Sequence, residues 1–275
     1  MMFKSIKIDK KYIKNLFPIH SQTSEEDKIF LLNTIKFLHL NLKSYNYLEI
    51  GSYLGGSITP FLLDKKCKGV LSIDKRNLIL PDERGENWDY KNISEKKMIS
   101  NIIKKGIKTD KLKTFNGKIK DLKKRKKIYN LVFIDGEHTD INCFEDFINS
   151  MDFIKKDSIV IFHDSSVIFK AISLIFIYLN KKKIPYSFIK KKNSDMSAIF
   201  FGKFLNKNFK KNYGKIDNND KFFTNAMNYI LLNQSNNKLK VKFRLSKFLK
   251  GKYPFKYVLG NTKNKIVRKL NESIS

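Results

Sequence analysis

The order of apolar and polar positions divides the chain into three stretches. In residues 1–44 the clear signal is helical. Ser24 precedes EEDKIFLLNTIKFLHLNL, which has two glutamates in its first turn and apolar residues at helical spacing. The residues before it, to about position 23, read as a lead-in segment. His39, near the end of that helix, reads as a structural or surface histidine, and His20 has no chemical neighbour in sequence. From residue 45 to 203 short continuous apolar runs alternate with helical patterns. The runs are YNYLEI, GVLSID, a weaker KLKTFNG, YNLVFID and SIVIFHD. The helices between them are SITPFLLDKK with an early proline, EKKMISNIIKKG after Ser94, one over about 141–155, and VIFKAISLIFIYLNKK. A loop over 77–94 separates the second run from the Ser94 helix. Continuous apolar strands separated by helices predict a parallel sheet covered on both faces. PYSFIKK and MSAIFFGK, joined by NSD, predict a closing antiparallel hairpin. In residues 204–275 the alternation stops, Asn and Lys dominate, and one helix over DKFFTNAMNYILL is expected.

Charge changes this picture little. The chain has 275 residues and a formal net charge of +30, with ten Lys and two Arg against one Glu in residues 235–275. That basic C-terminal extension reads either as a docking appendage or as a solvated tail. Of the 56 basic residues only five are arginine, the residue best suited to base edges and bidentate phosphate contacts. With so much Ile, Asn and Lys, compositional drift plus weak anion attraction explains the charge better than a dedicated nucleic-acid surface. Two cysteines, Cys67 and Cys143, make neither a disulfide framework nor a zinc pattern. The N-terminus has no apolar signal core, and the longest apolar run, AISLIFIYL, is far shorter than the roughly 20 residues of a membrane span. A cytoplasmic protein is expected.

The candidate chemistry begins at YLEIGSYLGGS, residues 47–57, where an acid and spaced glycines follow the first apolar run. Gly51 and Gly56 have the glycine spacing of a P-loop, but Ser57 stands where its lysine is needed, so nucleoside triphosphate hydrolysis is disfavoured. Tyr53 occupies the second glycine of a dinucleotide fingerprint. A nucleoside ligand without phosphate near the loop fits better. S-adenosylmethionine (SAM) needs close backbone approach, N–H groups toward its carboxylate and negative charge near its ammonium and sulfonium. Ser57 offers a hydroxyl and Glu49 the charge. Asp74 lies 25 positions after Glu49 at the end of the second strand, where an acid grips ribose hydroxyls.

These motifs, with FIDGEH at 133–138 and FHD at 162–164, resemble in order the class I SAM-dependent methyltransferases. The branch they look most like is the bacterial small-molecule and sugar O-methyltransferases. The resemblance covers about residues 45–203. It implies a Rossmann-like, seven-stranded, mostly parallel sheet with helices on both faces and a C-terminal antiparallel hairpin. Matched position by position, it implies cofactor contacts at Glu49, Gly51, Tyr53, Gly55, Gly56, Ser57, Asp74, Lys75, Arg76, Gly117, Lys118, Asp135 and Gly136, with Asn116 in a loosely matching loop.

Methyl transfer is an in-line displacement that requires an aligned acceptor, excluded water and, for a hydroxyl, removal of a proton. The candidates at strand ends are Asp135, His138, His163 and Asp164. In one mechanism His163 or His138 is the general base. In the other, Asp135 and Asp164 hold a divalent cation such as Mg²⁺. Metal-dependent relatives carry two adjacent acids at the last strand end, and His163 replaces the first here, which favours the imidazole route. Asp140, Glu145 and Asp146 are expected to face solvent. No Pro-Pro follows the last strand, which disfavours nucleobase or amide N-methylation. The expected acceptor is a small hydroxylated molecule, a sugar or a phosphorylated or nucleotide-linked sugar of bacterial glycan biosynthesis. The alternatives are RNA methylation gripped by the basic extension, or an inactive basic binding module. A homo-oligomer is compatible with all three.

Overall fold

The computed structural model describes residues 8–76, 78–123, 126–205 and 207–249. Nine strands and eight helices follow in chain order: α1 Lys10–Leu16, α2 Glu25–Asn41, β1 Tyr45–Ile50, α3 Thr59–Leu63, β2 Cys67–Asp74, β3 Ile79–Pro81 and β4 Asn87–Asp89. Then come α4 Glu95–Lys104, β5 Leu112–Asn116, β6 Tyr129–Ile134, α5 Asp140–Ser150, β7 Ile154–Phe162, α6 Phe169–Lys181, β8 Ser187–Lys190, β9 Ser197–Phe200, α7 Phe209–Tyr213 and α8 Asn219–Leu249. Seven strands form one sheet in the order β5-β2-β1-β6-β7-β9-β8. All neighbours are parallel except β7–β9 and β8–β9, so the hairpin is antiparallel as the sequence predicts.

The sheet has two buried faces because strand side chains alternate with a period of two. Tyr45, Tyr47, Leu131, Phe133, Ile159 and Ile161 point to one face, where α2 and α4 supply Phe30, Leu31, Phe37, Met98 and Ile102. Leu48, Ile50, Val132, Ile134, Val160 and Phe162 point to the other, against Cys143 and Phe147 of α5 and Ala171 and Ile175 of α6. A strand buried on both faces reads as an unbroken apolar run, which is why β1, β6 and β7 stand out in the sequence.

Register decides where the chemistry emerges. Ile50 pairs with Ile73 and with Ile134, and Ile134 pairs with Phe162. The four central strands therefore end level. Gly51 N donates to Ile73 O (2.8 Å), Asp135 N to Ile50 O (2.8 Å) and His163 N to Ile134 O (3.1 Å). The residues that follow each strand leave side by side at the carboxyl edge, the usual ligand crevice of such sheets.

Four local expectations need correction. The lead-in segment contains α1, capped by Asp9, whose carboxylate accepts from Tyr12 N at 2.8 Å. Its apolar Ile13 and Leu16 are buried, a signal too short to stand out beside α2. The loop 77–94 holds the small antiparallel ribbon β3–β4. Helix α5 ends at Ser150, not near 155, because Phe153 N turns back to Ser150 O (2.9 Å) and β7 starts at Ile154. Exposed Lys155 and Lys156 conceal the beginning of that strand. The last helix runs beyond the expected DKFFTNAMNYILL, from Asn219 to Leu249.

The chain divides into two compact units, Met1–Ile230 and Leu231–Ser275. Phe204, Tyr213, Phe222, Ala226 and Ile230 are buried within the first. The described part of the second is helical, and the basic residues expected at 250–275 lie outside the described residues. Among the described residues no helix is long and apolar enough to cross a membrane.

Candidate active site

The cavity at the carboxyl edge is lined by Gly51–Tyr53, Gly56 and Ser57 after β1, Asp74–Arg76 after β2, Gly117 and Lys118 after β5, and Asp135–His138 after β6. Ser21 and Gln22 close one side, and Leu78, Leu80, Tyr90 and Ile93 form an apolar wall.

The first loop is shaped by close backbone packing. At Gly51 φ is +89°, and an added Cβ would stand 1.9 Å from Asp135 O, so only glycine fits. Gly56 lies against the lead-in segment: a Cβ there would meet Ile19 O at 2.7 Å and His20 O at 2.8 Å. Gly55 does not line the cavity; its Cβ would meet Met98 Cγ of α4 at 2.9 Å. Tyr53 has φ +45° and sits near Tyr90 and His20, with ring centres 5.7 and 6.2 Å away.

Asp74 ties this loop to the second strand. Its Oδ2 accepts from Ser52 N (3.0 Å) and Tyr53 N (2.9 Å). Burial raises its pKa, against the Arg76 guanidinium and those two N–H groups, which lower it. Arg76 itself is buried and donates to Ser72 Oγ (3.2 Å), so it braces β2, whereas Lys75 is exposed at the cavity rim. Lys118 reaches Asn142 Oδ1 at 2.8 Å. Asn116 is outside the cavity and accepts only a long bond from Arg76 N (3.5 Å).

Glu49 and Ser57 depart from their expected placement. Glu49 is fully buried behind the loop and does not line the cavity. It accepts from Tyr47 Oη and Ser57 Oγ, each at 2.5 Å. Burial pushes its pKa up to about 8, so the folded protein holds it protonated at neutral pH rather than as a charge facing a ligand. Ser57 lines the cavity, but its hydroxyl is turned toward Glu49.

The acids of α5 also differ from expectation. Asp140 is buried and accepts from Ala171 N at 2.8 Å, joining α5 to α6. Asp146 lines the cavity, and burial raises its pKa to about 7 despite Lys118. Glu145 lies near Lys120 in a half-exposed pair at 3.4 Å.

Asp135, His138, His163 and Asp164 do come together, with one unforeseen member. Asp135 Oδ1 is 2.9 Å from His163 Nδ1 and 3.3 Å from His138 Nε2. His138 Nδ1 is 2.8 Å from Asp164 Oδ2. His163 Nε2 faces Asp27 Oδ2 at 3.5 Å. Asp27 lies in the first turn of α2, and its only sequence signal is position N3 of the capping box with Ser24. Of the cluster only Asp135 and His138 line the cavity; His163 is 6% exposed and stands behind them. Asp164 has φ +47°, a left-handed conformation that aspartate tolerates better than most side chains. Burial lowers the basicity of His138, but Asp135 and Asp164 outweigh it and raise its pKa to about 9. His163 is raised as well, with Asp135 the main cause opposing burial.

A family sequence profile described as a methyltransferase domain matches residues 48–165, the segment that carries the glycine loop, Asp74 and the cluster through Asp164. The match spans less than half of the chain and likens that segment to SAM-dependent methyltransferase domains. The O-methyltransferase NovP is similar over 70% of this chain and 96% of its own, at 15% identity and a TM-score of 0.52, which shows the shared fold. The O-methyltransferase TomG from Streptomyces achromogenes, involved in tomaymycin synthesis and solved with SAM, covers 71% of this chain and 91% of its own at 12% identity and a TM-score of 0.47. No curated protein matches the sequence. The residues of the cavity fit SAM: the glycine loop and Asp74 line it together, and among the described residues no hydrogen bond is made to Asp74 Oδ1 at the second strand end.

Proposed function

We propose that this methyltransferase transfers the methyl group to a hydroxyl of a small polar acceptor, a sugar or nucleotide-linked sugar, in the cytoplasm. The observation that carries the reading is the pairing of a glycine loop and Asp74 on one side of the cavity with Asp135 and His138 on the other. SAM supplies the activated methyl when bound. The chain's part is to hold the nucleoside with the loop and Asp74, to exclude water behind Leu78, Leu80, Tyr90 and Ile93, and to meet the acceptor hydroxyl with Asp135 and His138. In-line transfer depends mainly on such alignment. A hydroxyl attacks well only as its proton departs, and Asp135 is the carboxylate at the cavity wall that can accept it, beside a His138 imidazolium held by Asp135 and Asp164. Lys75 and Lys118 on the cavity rim suit an acceptor that carries phosphate. Oxygen as the acceptor atom is proposed by analogy with NovP, an O-methyltransferase.

Two measurements test the reading. SAM at a hundredfold its dissociation constant should stabilise the protein by about 2.7 kcal/mol, visible as a rise in melting temperature. Methyl-labelled SAM offered with a metabolite extract should then label a small anionic or sugar-containing product. Absence of a thermal shift at millimolar SAM overturns the cofactor assignment. Label appearing in RNA overturns the acceptor assignment.

A further inference from the structure

Two imidazoles from two parts of the chain converge on one carboxylate oxygen, Asp135 Oδ1. His163 Nδ1 lies 2.9 Å from it and His138 Nε2 3.3 Å. The three donor atoms all fall within 4.8 Å of one another. Donors bound to one ion at about 2.0–2.2 Å, on neighbouring corners of a tetrahedron or octahedron, stand about 3.0–3.5 Å apart. The two separations from Asp135 match that spacing.

Each imidazole also turns its second nitrogen toward a further carboxylate. His138 Nδ1 meets Asp164 Oδ2 at 2.8 Å, and His163 Nε2 faces Asp27 Oδ2 at 3.5 Å. A ligating histidine backed by a carboxylate has its ring orientation fixed and its free nitrogen made a better ligand. Asp27 is itself immobilised. Its Oδ2 accepts from Ser24 N (2.9 Å) and Ser24 Oγ (2.6 Å), and its Oδ1 from Ser194 Oγ (2.6 Å) and Asp195 N (2.9 Å). His163 supplies an independent sign. It is 6% exposed, yet neither ring nitrogen makes an aligned hydrogen bond despite the short ion-pair distances. A buried polar ring lacking aligned partners calls for an explanation, and an ion at Nδ1 is one.

We propose that Asp135, His138 and His163 bind one divalent transition-metal ion, with Asp164 and Asp27 as the outer carboxylates that orient the two rings. Two imidazole nitrogens and one carboxylate suit Mn²⁺, Fe²⁺, Co²⁺ or Zn²⁺, whereas Mg²⁺ takes oxygen ligands and keeps several waters. The assignment replaces the expected Asp135 and Asp164 pair: Asp164 moves to the outer shell and both histidines become ligands. Because Asp135 and His138 line the cavity, the ion's open positions face the acceptor side, where a metal lowers the pKa of a bound hydroxyl. The use of the ion rests on the methyl-transfer reading; its binding does not.

The test uses the full-length protein, stripped with a chelator and without SAM. Co²⁺ is titrated while visible absorption from nitrogen-bound Co²⁺ is followed, and Zn²⁺ and Mg²⁺ are titrated by calorimetry. One equivalent of Co²⁺ or Zn²⁺ is expected, bound at least tenfold more tightly than Mg²⁺. His138→Gln and His163→Asn should each weaken Co²⁺ binding by at least tenfold. Asp27→Asn, outside the ligand set, should weaken it by about 10- to 100-fold. Circular dichroism melts identify a variant that fails to fold. If His163→Asn does, the partly exposed His138→Gln carries the decision alone. The proposal is overturned by no Co²⁺ binding at millimolar concentration, by Mg²⁺ binding equally well, or by Co²⁺ binding unchanged in the histidine variants. The SAM thermal shift is read on the same stripped protein. A shift without Co²⁺ binding overturns the metal site and leaves the cofactor assignment; Co²⁺ binding without a shift supports the metal site and overturns the cofactor assignment.

Discussion

The loop from Gly51 to Ser57 is a site made of backbone, and the group Asp135, His138, His163, Asp164 and Asp27 is a site made of side chains. Both stand at the carboxyl edge of the same sheet. In the loop, shape follows from what is missing at Gly51 and Gly56, because the neighbouring chain leaves no room for a Cβ. In the cluster, function follows from which ring nitrogen meets which oxygen, and that depends on α2, more than a hundred residues earlier. A backbone site is therefore fixed by local residue types. A side-chain site is fixed only when distant elements pack.

The sharpest way to break the comparison is Gly51→Ala. The new methyl would stand 1.9 Å from Asp135 O at φ +89°, so β1 or β6 must shift. The expected result is a stability loss of about 3 kcal/mol or more, in the range reserved for strain and overpacking, together with lost SAM binding. Chemical denaturation and calorimetry check it. A variant with native stability that still binds SAM would show that the loop is not shaped by that contact. The change also reaches across the comparison, because Asp135 belongs to the cluster.

The next largest effect separates the two regions. His138→Ala and His163→Ala should each lower kcat by about 10²- to 10⁴-fold, the usual contribution of a positioned acid–base group, because each removes a partner of Asp135, while SAM affinity stays near native. His138 meets the cavity and His163 does not, yet the two share Asp135 Oδ1. Equal losses would show that the cluster acts as one unit. Full activity in His163→Ala would confine the chemistry to the cavity wall, and lost SAM binding in either variant would merge the two sites.

Much of the fold was legible because its strands are buried on both faces and its main helices carry strong caps. Ser24 and Ser94 mark two helix starts correctly, and the closing hairpin is announced by NSD between two apolar runs. The sheet itself places Asp74, Asp135 and His163 together once their strands are recognised. The residues missed or misplaced share a different cause. Glu49 sits in β1 with its side chain turned into the core, toward Tyr47 and Ser57, and spacing alone does not report that direction. Asp140 and Asp146 lie on a helix whose exposed and buried faces are set by packing against α6 and the cavity. Asp27 reads as a helix cap, and it is one. Its second oxygen and its place opposite His163 appear only when α2 lies against the sheet.

Glu49 gives an effect that grows only as pH rises, on stability more than turnover. Its ordinary carboxyl pKa rises to about 8 in the folded protein through burial, against the hydroxyls of Ser57 and Tyr47. The native state then holds a proton that the unfolded chain has released, so stability is full below the unfolded pKa and falls as pH rises from about 5 through 8. The loss is on the order of 4 kcal/mol across that window. Glu49→Gln cannot ionise and should flatten the slope in denaturation measured at several pH values. If the native slope persists in the variant, Glu49 is not its source.

The smallest effect tests whether carboxylate–histidine contacts matter wherever they occur. His39 Nε2 lies 2.8 Å from buried Asp64, which also accepts from Tyr45 Oη at 2.6 Å. The geometry resembles the cluster, but the place does not. Tyr45 opens β1 and Asp64 just precedes β2, so this pair stands at the amino edge of the sheet, opposite the crevice. There it joins the end of α2 to the strand starts, and none of His39, Asp64 and Tyr45 lines the cavity. His39→Gln should cost about 1–2 kcal/mol of stability, the range for losing a partner of a buried charged group, and leave kcat unchanged. Asp64 is held below the usual carboxylate range, with His39 and Tyr45 opposing its burial, so the deficit should be largest above pH 4 and shrink as acid protonates Asp64. A fall in kcat at unchanged stability would mean that the amino edge communicates with the crevice, and the division between scaffold and site drawn from the sheet's two edges would fail.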